Sequence, residues 1–171
     1  MHIKGQIVTN NINEILQAMD DNWPECAASV SPALLRLLQV SNLFHHQMEA
    51  LVASFDLQRA EFSVLSSLRR SPVPYCLSPT ALYQSMIFSS GGLTKVLNRL
   101  SQATLIERIA NPKDKRSKLV LLTSKGKQLI ETVMPELHQQ ERNGLSVLSA
   151  DELQQLDAMM QRVLAKNKPT N

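Results

Sequence analysis

Aromatic side chains are scarce in this sequence, 4% of 171 residues with one tryptophan. So little ring area argues against a β-sandwich core and for aliphatic helix packing. Glycines number five, too few for a chain of many tight β-turns. The two cysteines, Cys26 and Cys76, stand far apart with no CxxC pattern, which excludes a disulfide framework and a zinc finger and suits a reducing, cytoplasmic setting. No apolar run approaches the ~18 residues that a membrane helix needs, and the polar N-terminus carries no signal-peptide core. Catalytic signatures are missing as well. Ser124-Lys-Gly-Lys127 fits S-x-x-K without the other motifs of that active site, and Gly91-Gly92 with Lys95 lacks P-loop spacing. No paired carboxylates or Ser/His/Asp set can be picked out, so the expectation is a protein that is not an enzyme and needs no cofactor.

What is present is a 43% apolar content, enough for a core, in a length that suits one domain with a helical extension. Residues 1–30 read as a polar extension with one short helix around INEILQAMDD. Ser31-Pro32 is an N-cap followed by the one helical position where proline fits. Apolar residues at 34, 37, 38, 44, 48, 51, 52 and 55 then keep helical spacing over some six turns. Such a helix is longer than a small core needs, which implies packing on another chain. A helix near 58–70 follows, then a break at SPVPYC and a second Ser-Pro start at Ser78-Pro79. That short helix is expected to run to about 86. Another is expected from Ser89-Ser90 to about Ser101, burying Leu93, Val96, Leu97 and Leu100. Two short helices about a tight turn are a helix-turn-helix.

Residues 105–110 and 117–123 read as two strands around Asn111-Pro112 and a charged tip, with Val120 and Leu122 on one face and Leu119 and Leu121 on the other. A helix from Thr123 to about 142, bent near Pro135, and a last helix opened by the capping box Ser149-Ala-Asp-Glu152 complete the chain. The fold class expected is mainly α with a small β-hairpin wing: a winged helix-turn-helix lobe at 57–123, and dimerisation helices at 31–56 and 124–167.

Charge is unevenly spread. Residues 88–127 hold nine Lys/Arg against two acids, a surplus of seven in a chain whose net charge is +3, so the remainder is acidic. A basic face on an acidic body suits a polyanion. Ser89, Ser90 and Gly91 are small enough for backbone to approach phosphate at a helix N-terminus. Thr94, Lys95 and Arg99 follow on the helix, where they suit base edges and phosphates in the major groove. On the hairpin tip, Lys113, Lys115 and Arg116 offer cations, and an arginine on a narrow projection fits the minor groove. Asp114 would hold one of them by a charge-assisted bond.

The segment LSPTALYQSMIFSSGGLTKVLNRLSQATLIERIANPKDKRSKLVLLTSKG resembles the DNA-binding core of the MarR family of bacterial transcription regulators. That family's wing reads as a hydrophobic-Glu-Arg strand, then Asp-Pro-x-Asp-x-Arg, then a strand ending in Leu-Thr-x-x-Gly, and residues 105–126 match it nearly throughout. The recognition helix SSGGLTKVLNRL resembles that of one branch. Carried over by position, Ser89, Ser90, Gly91, Thr94, Lys95 and Arg99 form the major-groove and phosphate face, Arg116 is the wing-tip arginine and Asp114 its support. Asn111 replaces the usual first wing aspartate, Thr104 stands where a helix-ending glycine is usual, and Ile87 occupies a turn position that often holds glycine.

The resemblance implies a homodimer on palindromic double-stranded DNA, with half-sites roughly 34–36 Å apart, acting as a repressor released by a small apolar or phenolic effector. Residues expected near an effector are Phe44, His45, Met48, Phe62, Tyr75 and Met86, all of which equally suit a core or interface. His45 and Glu49 share a helix face but lack a third metal ligand. Cys26 or Cys76 would serve as an oxidation sensor only if activated; an idle thiol fits either position. The rival reading is a winged-helix assembly module whose basic lobe binds an acidic protein.

Overall fold

The computed structural model describes residues 11–86, 92–112 and 114–167, with Lys115 and Arg116 described by backbone alone. The chain divides into two compact units, Met1–Ala50 and Leu51–Asn171.

The first unit starts with α1 (Ile12–Asn22), where the Asn11 side chain accepts the Asn13 N–H as N-cap. The extension holds a second short helix that the sequence reading did not separate, α2 (Pro24–Ala27). Pro24 takes the first position of this next helix, where its missing N–H costs nothing. The long helix α3 (Pro32–Ala53) begins at the expected proline. Arg36 Nη2 donates to Asn13 Oδ1 at 3.1 Å and ties α3 to α1. Leu34, Leu37, Leu38, Val40 and Leu43 leave α3 with an exposed apolar face.

The second unit is built around α4 (Arg59–Arg70), whose residues 61–68 are all buried. Val64, Leu65 and Leu68 are fully enclosed, and α4 packs on α5 (Pro79–Ser85), α6 (Leu93–Gln102) and α7 (Ser124–Gly144). The core is aliphatic, as the shortage of rings requires: Leu82, Leu100, Ile106, Val120, Ile130 and Val133 are enclosed with them. At about 25 cal/mol per Å², each such side chain contributes roughly 1.5–3 kcal/mol of burial.

Three antiparallel strands lie in the order β1-β3-β2: β1 (Cys76–Leu77), β2 (Ile106–Asn111) and β3 (Asp114–Leu122). The sequence reading missed β1, because two residues beside prolines carry no periodicity of their own; pairing with Leu121 and Val120 makes them a strand. It also placed the second wing strand too late, at 117. Strand β3 begins at Asp114, since cross-strand pairing with Asn111 extends the ladder through residues that read only as charge. The alternation within β3 is as expected, with Val120 and Leu122 buried and Leu119 and Leu121 half-buried.

Helix α8 (Ala150–Lys166) opens with the expected capping box, the Ser149 hydroxyl accepting the Glu152 N–H and the Glu152 carboxylate accepting the Ser149 N–H. Pro135 lies inside α7. On α8, Leu156, Met159, Val163 and Leu164 are exposed. Among the described residues, no helix is long and apolar enough to cross a membrane.

Candidate nucleic-acid interface

Helix α6 is strongly two-sided. Val96, Leu97 and Leu100 are buried, while Thr94, Lys95, Asn98 and Arg99 lie on the exposed side. The expected start at Ser89 is corrected: α6 begins at Leu93, and its N-cap is Gly92 at φ 87°, a left-handed conformation that favours glycine. Thr94 and Lys95 therefore lie in the first helical turn. Among the described residues no side chain caps this end; the Lys95 N–H is taken by the Gly92 carbonyl at 2.8 Å, and the N–H groups before it and the positive dipole end face outward. Ser89, Ser90, Gly91 and Ile87 lie outside the described residues, as does Lys113; for Lys115 and Arg116 the backbone is in β3.

Polar tethers fix α6 on several sides, and the sequence reading missed most of them. Arg99 Nε lies 3.0 Å from the Glu61 carboxylate, which is 4% exposed, so the helix is linked to α4. Arg108 on β2 donates from Nη2 to Asn98 Oδ1 at 2.9 Å, linking the wing to the helix. At the C-terminus Lys125 Nζ donates to the Ala103 carbonyl at 2.9 Å, a cation at the negative helix end. Lys125 was counted in the basic face, but its ammonium is engaged here. A usable signal for Arg108 was its place in the wing motif; Glu61 gave none, since an acid at a buried position looks like surface until its partners are known.

The turn after α6 shows what replaces the usual glycine. Thr104 adopts the left-handed conformation at φ 60°. Its carbonyl and that of Leu105 both face the Thr123 hydroxyl, at 2.8 and 3.0 Å, and that hydroxyl also accepts the Gly126 N–H as N-cap of α7. A Cβ on Gly126 would run into the Leu105 carbonyl, so the last glycine of the wing motif is a packing requirement. At the wing turn, Asn111 Nδ2 donates to Ser117 Oγ at 2.8 Å, and that hydroxyl donates to the Asp114 carbonyl at 3.1 Å. Asparagine in place of aspartate thus supplies a donor that closes the turn. The first helix of the pair, α5, has its expected Ser78 cap, and Arg70 Nη2 holds its last carbonyl, Ser85 O, at 3.1 Å.

A cavity of about 480 Å³ between α4 and α7 is lined by Ser66, Arg69, Arg70, Glu131, Met134 and His138 among others, and by none of Phe44, His45, Met48, Phe62, Tyr75 or Met86. Phe62 and Met48 are buried. Tyr75 instead carries Arg69 Cζ at 4.9 Å and Lys127 Nζ at 5.6 Å from its ring centre. Arg69 also pairs with Glu131 at 2.7 Å, a hydrogen bond that raises the arginine's pKa. Among the described residues no group of three His, Cys, Asp or Glu is placed to hold a metal. Burial pushes the Cys76 thiol pKa up, the opposite of what activates a sensor.

A helix-turn-helix with its second helix exposed, followed by a basic hairpin, defines a winged-helix DNA-binding transcription regulator. The sequence profile described as the MarR family matches residues 55–117. Over 152 residues the chain is 30% identical to the HTH-type transcriptional regulator PecS of Dickeya dadantii, covering 89% of this chain and 92% of that one. It is 34% identical over 117 residues to the multiple antibiotic resistance protein MarR of Escherichia coli, covering 66% and 77%. The chain belongs to the MarR family. A solved structure of a mutant E. coli MarR complexed with operator DNA superposes with a TM-score of 0.60 at 29% identity, covering 77% of this chain and 96% of that one. AbsC of Streptomyces coelicolor, at 22% identity and a TM-score of 0.70, shares the fold over 81% of this chain and 93% of its own. These relatives are regulators and not enzymes, and nothing in them supports the assembly-module reading.

Proposed function

We propose that this protein is a homodimeric repressor that binds a palindromic operator in the cytoplasm and is released by a small effector. The observation that carries the reading is the pairing of an exposed helix start bearing Thr94 and Lys95 with a wing that turns between Asn111 and Asp114, the stretch where the sequence sets Lys113, Lys115 and Arg116. Each half of the dimer would place α6 in the major groove and the wing in the adjacent minor groove, with Ser89, Ser90 and Gly91 near the backbone. Asp114 would steady a wing cation.

The exposed apolar faces of α3 and α8 support dimerisation, since contiguous apolar surface of this kind is costly in water and is usually covered by a partner. Residues 31–56 and 124–167 are accordingly assigned to the dimer interface and 57–123 to the DNA-binding lobe. An effector acts only through its preference for one spacing of the two recognition helices, typically ~1–3 kcal/mol of coupling.

Selection of bound sequences from a random duplex pool, with sedimentation of the winning complex, tests the reading. A palindrome bound by two copies is the expected result. Recovery of unselected sequence, or one copy per duplex, overturns it.

A further inference from the structure

Resting on the DNA-binding reading, we propose that Glu61 is a positioning residue for operator recognition, acting through Arg99. Glu61 lies in the first turn of α4 and its side chain is 4% exposed. A carboxylate so placed is costly unless both oxygens are engaged. Each oxygen here serves a different element. Oε2 accepts the Gln58 N–H at 2.8 Å and closes the capping box of α4. Oε1 meets Arg99 Nε at 3.0 Å in the last turn of α6.

The apolar seat of α6, Val96, Leu97 and Leu100, is non-directional; of the polar tethers, that from Arg108 holds the side facing the wing and that from Lys125 the C-terminal end, so the side facing α4 is held by Glu61. An ion pair to a buried, doubly held carboxylate is directional. For a helix about 10–12 Å across, a turn of about 10° moves a side-chain tip by about 1 Å, beyond the ~0.5 Å within which a recognition contact must be held. Glu61 thereby sets where Thr94 and Lys95 stand relative to a base edge. Arg99 uses Nε for this tether, and its part in recognition is to hold the helix rather than to neutralise a phosphate.

The test compares full-length wild type with Glu61→Gln, which keeps shape and the capping acceptor but removes the charge. Affinity is measured for the selected operator and for a random duplex across a salt series, alongside thermal melting. Glu61→Gln is expected to lose about tenfold on the operator and little on random duplex, with the salt slope unchanged. Arg99→Met is expected to do the same, and Glu61→Gln added to Arg99→Met to cost nothing more. An unchanged operator-to-random ratio, equal losses on both duplexes, or additive effects overturn the proposal. So does a fall of about one in the salt slope for Arg99→Met, which marks a phosphate contact. Should Glu61→Gln not fold, Arg99→Lys carries the same expectation, because lysine keeps the charge without the Nε geometry. A wild type that selects no sequence overturns the DNA-binding reading itself. A selective wild type matched by Glu61→Gln overturns only the role of Glu61.

Discussion

Arg108 on strand β2 donates to the side-chain carbonyl of Asn98 on helix α6 at 2.9 Å, so the wing and the recognition helix are joined by a side-chain hydrogen bond and not only through the core. The bond also fixes which way the Asn98 amide lies, with its oxygen toward the wing and its NH₂ away. An asparagine that reads adenine uses both ends of its amide; here one end already has a partner. Asn98→Ala and Arg108→Ala are each expected to lower operator affinity by roughly 1 kcal/mol, and the double substitution by less than their sum. Additive losses in fluorescence anisotropy titrations would show the two residues acting separately.

The wing and the helix start are expected to differ in kind. Arg116→Ala should weaken operator binding by roughly 1–3 kcal/mol without lowering the melting temperature, and unchanged affinity would remove the wing from recognition. Lys95→Ala should weaken operator binding as well. Equal weakening on all sequences, with a salt slope reduced by about one, would assign Lys95 to phosphate; loss on the operator alone would assign it to a base.

Two positions around the α6–β2 turn should respond in opposite senses to changes of a few atoms. Thr104 holds a left-handed φ of 60°, which costs a β-branched residue roughly 1–2 kcal/mol. Thr104→Gly relieves that strain at some cost in chain entropy, and is expected to raise stability by up to about 1 kcal/mol in urea melts. Gly126→Ala pushes a methyl group into the Leu105 backbone carbonyl and is expected to cost roughly 1–3 kcal/mol. Equal effects at the two sites would contradict the geometry.

Acid should loosen the start of α8. Hydrogen bonds from the Ser149 N–H and hydroxyl hold the Glu152 carboxyl below its ordinary value of 4.5. A lowered folded-state pKa means that the stabilisation is complete above the unfolded value and is lost as pH falls through the folded one. The protection factors of the amides at residues 150–153 are therefore expected to fall below pH 4.5 in wild type; Ser149→Ala, which leaves the N–H bond, should weaken that pH dependence, and Glu152→Gln should abolish it.

Much of the fold was legible because local chemistry and hydrophobic period agreed. Ser78-Pro79 and Ser149 through Glu152 are helix starts in any context, and the alternation of β3 gives its faces without knowledge of a partner. The exposed side of α6 was readable too, since Val96, Leu97 and Leu100 mark the other side. What misled was long-range. Ser89-Ser90 looks like a helix cap, yet α6 starts at Leu93, after Gly92, because glycine alone takes the left-handed turn there cheaply. Residues 114–116 read as loop charge but lie in a strand.

A winged helix-turn-helix with a basic recognition face was already written into the order of residues, because caps, periods and charge surplus are properties of short stretches. How that face is held was settled by packing. Glu61 and Arg99 are 38 residues apart, and Lys125 lies 21 beyond Thr104. Whether a charge in such a pair meets solvent or another side chain depends on which elements come together, and no local pattern encodes that.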